Sequence, residues 1–121
     1  MTDLIFKIVH TQEWQGARAA GAYDGSPKDQ ADGFLHFSTA EQLLGTLQKW
    51  YAGAHDLLLV AVEADALGAA LKWEPSRGGE LFPHLYAPLP LAAVRWQGDI
   101  KRDPNGAFVL PPELDATPSA S

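Results

Sequence analysis

Two histidines sit in strongly apolar surroundings, one in Gly33-Phe34-Leu35-His36-Phe37-Ser38 and one in Leu81-Phe82-Pro83-His84-Leu85-Tyr86. Imidazole is the side chain whose charge is most easily switched near neutral pH, so His36 and His84 are the candidate proton-transfer groups. In an extended segment side chains alternate, so Phe34, His36 and Ser38 share one face, and Phe82, His84 and Tyr86 share another. The second set makes an aromatic floor with a titratable ring, suited to stacking and hydrogen-bonding a flat ligand. Ser38 and Thr39 follow His36 at a strand-to-helix junction, where unsatisfied backbone N–H groups favour an anion. Arg77, on the Gly-flanked loop Pro75–Glu80, is placed to clamp a phosphate or carboxylate, and Glu80 or Glu74 to act as a base or polarise a hydroxyl. A plainer reading leaves both histidines structural, Ser38 as a cap, and Phe82 and Tyr86 in the core.

Other chemistries find no support. The chain has no cysteine, which excludes thiolate nucleophiles, disulfides and cysteine metal sites. Neither Gly-x-Gly-x-x-Gly, a Walker loop, His-Glu-x-x-His nor Gly-x-Ser-x-Gly occurs. His10, His36, His55 and His84 show no close metal-ligand spacing; a site built from His36, His84 and a carboxylate is the one geometry left open, and no metal is expected. Nine Lys and Arg against fifteen Asp and Glu give a net charge of −6, so no nucleic-acid partner is expected. The longest apolar run, Leu57–Val62, is far shorter than a membrane span, and the first residues lack a signal-peptide pattern. A cytoplasmic protein, monomeric or homodimeric, with a small-molecule ligand and no membrane partner is expected.

The elements that must carry these residues follow from patterning. With 121 residues, 46% of them hydrophobic and 20% charged, the chain fits one compact domain. Ile5–Val9 reads as a strand, followed by a helix with Thr11 as N-cap, Glu13 in its first turn, and an end near Gly21. Residues 21–33, rich in Gly, Pro, Asp and Ser, read as a loop of lid length. Ser38-Thr39-Ala40-Glu41 has the capping-box pattern, and Leu43, Leu44, Leu47, Trp50 and Tyr51 then define one apolar helix face. Leu57–Glu63 is patterned as a fully buried strand and Leu71–Glu74 as a short one. Pro83 argues against a central strand at 81–86. Segments 93–101 and 107–110 flank the hairpin signal Asn105-Gly106. The expected fold is therefore α+β: a mixed or antiparallel sheet with two main helices in the first half. The domain spans residues 1–110, and a Pro/Ser/Ala-rich tail occupies 111–121.

The stretches Gly33–Gln42 and Phe82-Pro83-His84-Leu85-Tyr86-Ala87-Pro88-Leu89 resemble the domain of unknown function 952 (DUF952) family, small proteins of bacteria and plants. The resemblance runs from about residue 4 to about residue 99. Ala87 stands where the family pattern tends to have Gly, and the resemblance implies no established activity. A more distant likeness is to the ADP-ribosyltransferase-like fold, in which a strand His holds the nicotinamide ribose, a Tyr stacks on the ring and a later Glu orients the ribose. His36 matches the first role and Tyr86 the second, whereas Glu80 precedes Tyr86 instead of following it. That likeness implies a nucleotide-type ligand such as NAD or ADP-ribose, with NAD as substrate and no resident cofactor. The alternative is a noncatalytic small-molecule or protein-binding module built on the same pocket.

Overall fold

The structure, a computed structural model, describes residues 3–116, apart from the side chains of Arg77, Asp115 and Ala116. Leu57–Glu63 (β4) is its centre. All seven residues are apolar except the last, so neither face of the strand tolerates water. β4 pairs antiparallel on one side with Leu4–His10 (β1) and on the other with Val94–Arg102 (β8), which in turn pairs with Phe108–Val109 (β9). One face of this four-stranded sheet is covered by the helix Leu43–Trp50 (α3), through Leu43 and Leu47 against Phe6, Ile8, Leu57 and Leu59. The other face receives Thr11–Ala20 (α1) through Trp14 and Ala17, together with Tyr23, Leu35, Phe37, Leu85 and Leu89 from two smaller sheets.

Those smaller sheets position the histidines. Ala22–Tyr23 (β2) pairs with Leu89–Pro90 (β7), and Leu35–His36 (β3), Leu81–Leu85 (β6) and Leu71–Pro75 (β5) form a three-stranded antiparallel sheet in the order β3-β6-β5. A bridge between Phe6 and Ser38 ties this sheet to β1. The fold is α+β with every strand pairing antiparallel. Among the described residues no helix is long and apolar enough to cross a membrane.

Several local expectations are corrected. Residues 21–33 are not a plain loop: they hold β2 and the helix Pro27–Asp32 (α2). Ser26 caps that helix, accepting from the Asp29 N–H while the Asp29 carboxylate accepts from the Ser26 N–H, and Pro27 supplies the first helical residue. The N-cap of α1 is His10, not Thr11, whose hydroxyl instead donates to the Asp56 carbonyl. The capping box before α3 runs from Thr39 to Gln42, one residue beyond the expected one, and opens a short 3₁₀ turn. Leu44 and Trp50 are exposed, so the apolar face of α3 narrows to Leu43 and Leu47 with partly buried Tyr51.

Pro83 does occupy a central strand. Its carbonyl accepts from the Phe37 N–H, just past the end of the two-residue β3. In an antiparallel strand one residue's N–H and C=O face the same neighbour. The donor that proline lacks therefore points past β3 and not into the ladder with β5.

After the Asp103–Ala107 turn, Pro112–Ala116 (α4) sets Leu114 against the α3 side of the sheet, and residues 117–121 lie outside the described ones. Gly98 makes this approach feasible, because a Cβ there would sit 2.7 Å from Pro111 Cβ. Gly98→Ala is expected to lower stability by at least about 1 kcal/mol through overpacking, read as a lower midpoint in thermal or urea unfolding.

Candidate functional site

The register of β3 on β6 decides the site. Leu35 pairs with Leu85, and both point into the core; His36 pairs with His84, and alternation turns both to the opposite face. Phe34 and Tyr86, each two residues from the paired histidine on its segment and so on the same face, join them. The His36 and His84 ring centroids are 5.7 Å apart in an edge-to-face arrangement. The Phe34 ring stacks on His84 at 4.1 Å and contacts His36 at 4.7 Å and Tyr86 at 5.2 Å. The structure thus brings four rings into one cluster on an outer sheet face.

Each imidazole is held by carboxylates. His36 Nδ1 lies 2.5 Å from Asp29 Oδ1, and its Nε2 lies 2.9 Å from Asp32 Oδ2. Both contacts are hydrogen bonds at once only when the ring carries both protons. His84 Nδ1 lies 2.8 Å from Glu74 Oε1, and the Tyr86 hydroxyl donates to that same oxygen at 2.7 Å. When Nδ1 donates to Glu74, His84 Nε2 is left as the acceptor nitrogen. Of the four imidazole nitrogens, His84 Nε2 is the one that faces no carboxylate among the described residues.

Behind His36 lies a buried ion pair. Lys7, on the same face of β1 as Ile5 and Val9, is 3% exposed and reaches Asp29 Oδ2 at 2.9 Å; Asp29 is 2% exposed. The Lys7 ammonium also donates to the His36 carbonyl. Burial pushes the Lys7 pKa below its ordinary value, with the Asp29 carboxylate opposing. For Asp29 burial acts upward, yet the His36 hydrogen bond and the Lys7 charge outweigh it and hold the carboxyl well below the usual range. Glu74 is held low by its bonds from Tyr86 and His84, and the same Tyr86–Glu74 bond pushes the phenol up.

The remaining expected site residues lie elsewhere or serve other ends. Ser38 is buried, exchanges backbone hydrogen bonds with Phe6 and pairs its hydroxyl with Thr46; Thr39 caps the turn before α3. Phe82 shares the imidazole face but is buried opposite Glu74 in the ladder. Glu80 is exposed at the entry to β6, and among the described residues no hydrogen bond or ion pair joins it to either imidazole. The Arg77 side chain lies outside the described residues. No group of three or more His, Asp or Glu among the described residues is arranged to hold a metal.

Asp29, Asp32, Lys7 and Phe34 were missed as site residues. A signal for Asp29 existed: Ser26-Pro27-Lys28-Asp29 is a capping box with Pro at the first helical position, which places the carboxylate at the start of a helix. For Lys7 no such signal exists beyond a lone charge inside an apolar strand.

The model of the DUF952 family, described as a protein family of unknown function, matches residues 8–97. The chain belongs to the DUF952 family. Both imidazoles and all the carboxylates of the site fall inside the matched segment; Lys7 falls one residue before it. This DUF952 chain is similar to the crystal structure of protein CC0527 from Caulobacter crescentus, at 47% identity and a TM-score of 0.86, over 93% of this chain and 98% of that one. The solution structure of the same Caulobacter protein is similar at 49% identity and a TM-score of 0.77, over 86% and 90% of the two chains. No curated relative matches the DUF952 chain.

Proposed function

We propose that the His36–His84 face binds a nucleotide-type ligand of the NAD or ADP-ribose class and acts on it by acid–base chemistry. The observation that carries this reading is the cross-strand imidazole pair, 5.7 Å apart, each ring backed by a carboxylate and flanked by aromatic rings. The aromatic rings suit a flat base or pyridine ring. Glu74 biases the site toward a ligand ring with positive charge, as the nicotinamide of NAD has, whereas Asp32 is already paired with Lys28. His84 Nε2 and the Glu74 carboxylate suit ribose hydroxyls. The ADP-ribosyltransferase-like likeness calls for His, Tyr and a later acid; here Glu74, hydrogen-bonded to Tyr86, takes the acid's role in place of Glu80, although it too precedes Tyr86 in the chain. NAD is a substrate in this reading, not a resident cofactor.

A noncatalytic binding module is the second reading, favoured by the near-complete burial of His84 at 5% exposure. Thermal unfolding with NAD and with ADP-ribose tests the proposal. A ligand at a hundred times its Kd stabilises by about 2.7 kcal/mol, so a clear rise in melting temperature is expected at millimolar ligand. No shift with either nucleotide overturns the nucleotide reading. His36→Ala separates the two versions: retained affinity with lost turnover marks an enzyme, and lost affinity with no turnover in the parent marks a sensor.

A further inference from the structure

We propose that the Phe34 side chain is a displaceable plug: its ring occupies the seat on His84 that a flat, positively charged ring of the ligand takes when bound. The proposal rests on the nucleotide reading and deepens it by naming the part of the ligand that enters this site. The geometry is that of a stacked ligand. The Phe34 and His84 rings are 4.1 Å apart and inclined by only 29°, while His36 and Tyr86 bound the same phenyl ring at 4.7 and 5.2 Å. Phe34 and His36 are both half-buried and His84 is buried, and the phenyl ring, stacked on His84, is one of the groups that cover it.

The main chain under Phe34 is anchored, and the side chain is what can move. Gly33 closes α2 in the left-handed conformation at φ 86°, and the N–H groups of Gly33 and Phe34 both donate to the Asp29 carbonyl. Displacement therefore needs only rotation about the Phe34 side-chain torsions, a fast motion that leaves β3 in register. The phenyl ring is also a poor electrostatic match for its seat. Asp32 lies on His36 but is already paired with Lys28 at 3.1 Å, whereas Glu74 lies on His84 and Tyr86 with no lysine ion pair among the described residues, so Glu74 is the carboxylate behind the rings that surround Phe34. A neutral phenyl gains nothing from it. A cationic aromatic ring keeps the stacking and adds the attraction of Glu74, and so can replace Phe34.

Two flat probes test the plug on the full chain: nicotinamide, and the cation made by methylating its ring nitrogen. Binding is followed by the NMR shifts of the His36 and His84 ring protons in the parent, in Phe34→Ala and in Phe34→Leu, which keeps bulk without a ring. If Phe34 competes for the seat, Phe34→Ala binds the cation at least about tenfold more tightly than the parent, with Phe34→Leu between them. The cation also binds more tightly than neutral nicotinamide, and saturating the parent abolishes the nuclear Overhauser contact between the Phe34 and His84 rings. Equal or weaker binding by both folded variants, a persisting Phe34–His84 contact at saturation, or no binding of the cation to any of the three proteins overturns the plug. NAD stabilising a parent in which that contact persists removes the plug and keeps the nucleotide reading. The cation binding Phe34→Ala while NAD and ADP-ribose bind nothing does the reverse.

Discussion

Replacing Asp29 by Ala is expected to lower the free energy of unfolding by about 3–5 kcal/mol, the usual range for breaking a buried ion pair by removing one partner. The loss is large because Asp29 joins four groups. Its carboxylate accepts from Lys7 Nζ, His36 Nδ1, and the N–H groups of Ser26 and His36. Removing it leaves the Lys7 ammonium at 3% exposure with the His36 carbonyl but without the carboxylate that pairs with it, opens the capping box of α2, and leaves the ring of His36 held only by Asp32. For a domain of this size the melting temperature should fall by about 10 °C or more, at roughly 3–6 °C for each kcal/mol. Lys7→Met added to Asp29→Ala should restore part of the loss, because a buried charge without its partner is worse than none. If the double variant is no more stable than Asp29→Ala, measured by urea unfolding, the desolvated lysine is not the source of the damage.

The second large effect is acid sensitivity. Asp29 ionises more readily in the folded chain than its ordinary value of 3.8 would allow. The unfolded chain therefore binds more protons than the folded one in acid, and stability falls as pH falls. The contribution of Asp29 is fully present above its unfolded value and is lost progressively from about pH 5 downward. For a carboxylate this well buried and paired it is on the order of 2–3 kcal/mol. Glu74 shifts in the same direction but is open to solvent, so it adds to the slope without a comparable share of stability. Stability measured from pH 5 down to about pH 2 should therefore fall more steeply in the parent than in Asp29→Asn, whose amide does not titrate. Equal slopes in the two proteins would refute the assignment to Asp29.

Much of the architecture was legible in the chain itself. Leu57–Glu63 carries apolar residues without alternation, and a strand of that pattern has to be central; it is. Arg102–Gly106 reads as a hairpin turn from its Asn105-Gly106 pair, and in the structure the Asp103 carboxylate accepts from the Asn105 and Ala107 N–H groups to form it. Leu35 and His36 alternate, which by itself sets an imidazole opposite an apolar face. Helix α2 was hidden because its composition, Pro27-Lys28-Asp29-Gln30-Ala31-Asp32, contains no large apolar residue to mark a buried face. What holds it is polar: the Ser26–Asp29 cap and the Asp29–Lys7 pair. Periodicity of hydrophobic residues cannot report a helix held in that way. Pro83 misled for a related reason, since the rule against proline in a central strand assumes neighbours of full length on both sides, and β3 is two residues long.

The sequence by itself determined which residues alternate, which turns close, and that two imidazoles lie on strands with one polar face each. These are local properties, set by backbone sterics and by the periods of strand and helix. Only the tertiary structure decided that His36 pairs with His84, that Asp29 comes to Lys7 across 22 positions, and that Glu74 rather than Glu80 meets the second histidine. Register and long-range charge pairing depend on which segments share a core, and Leu35 against Leu85 sets that register through burial on the opposite face.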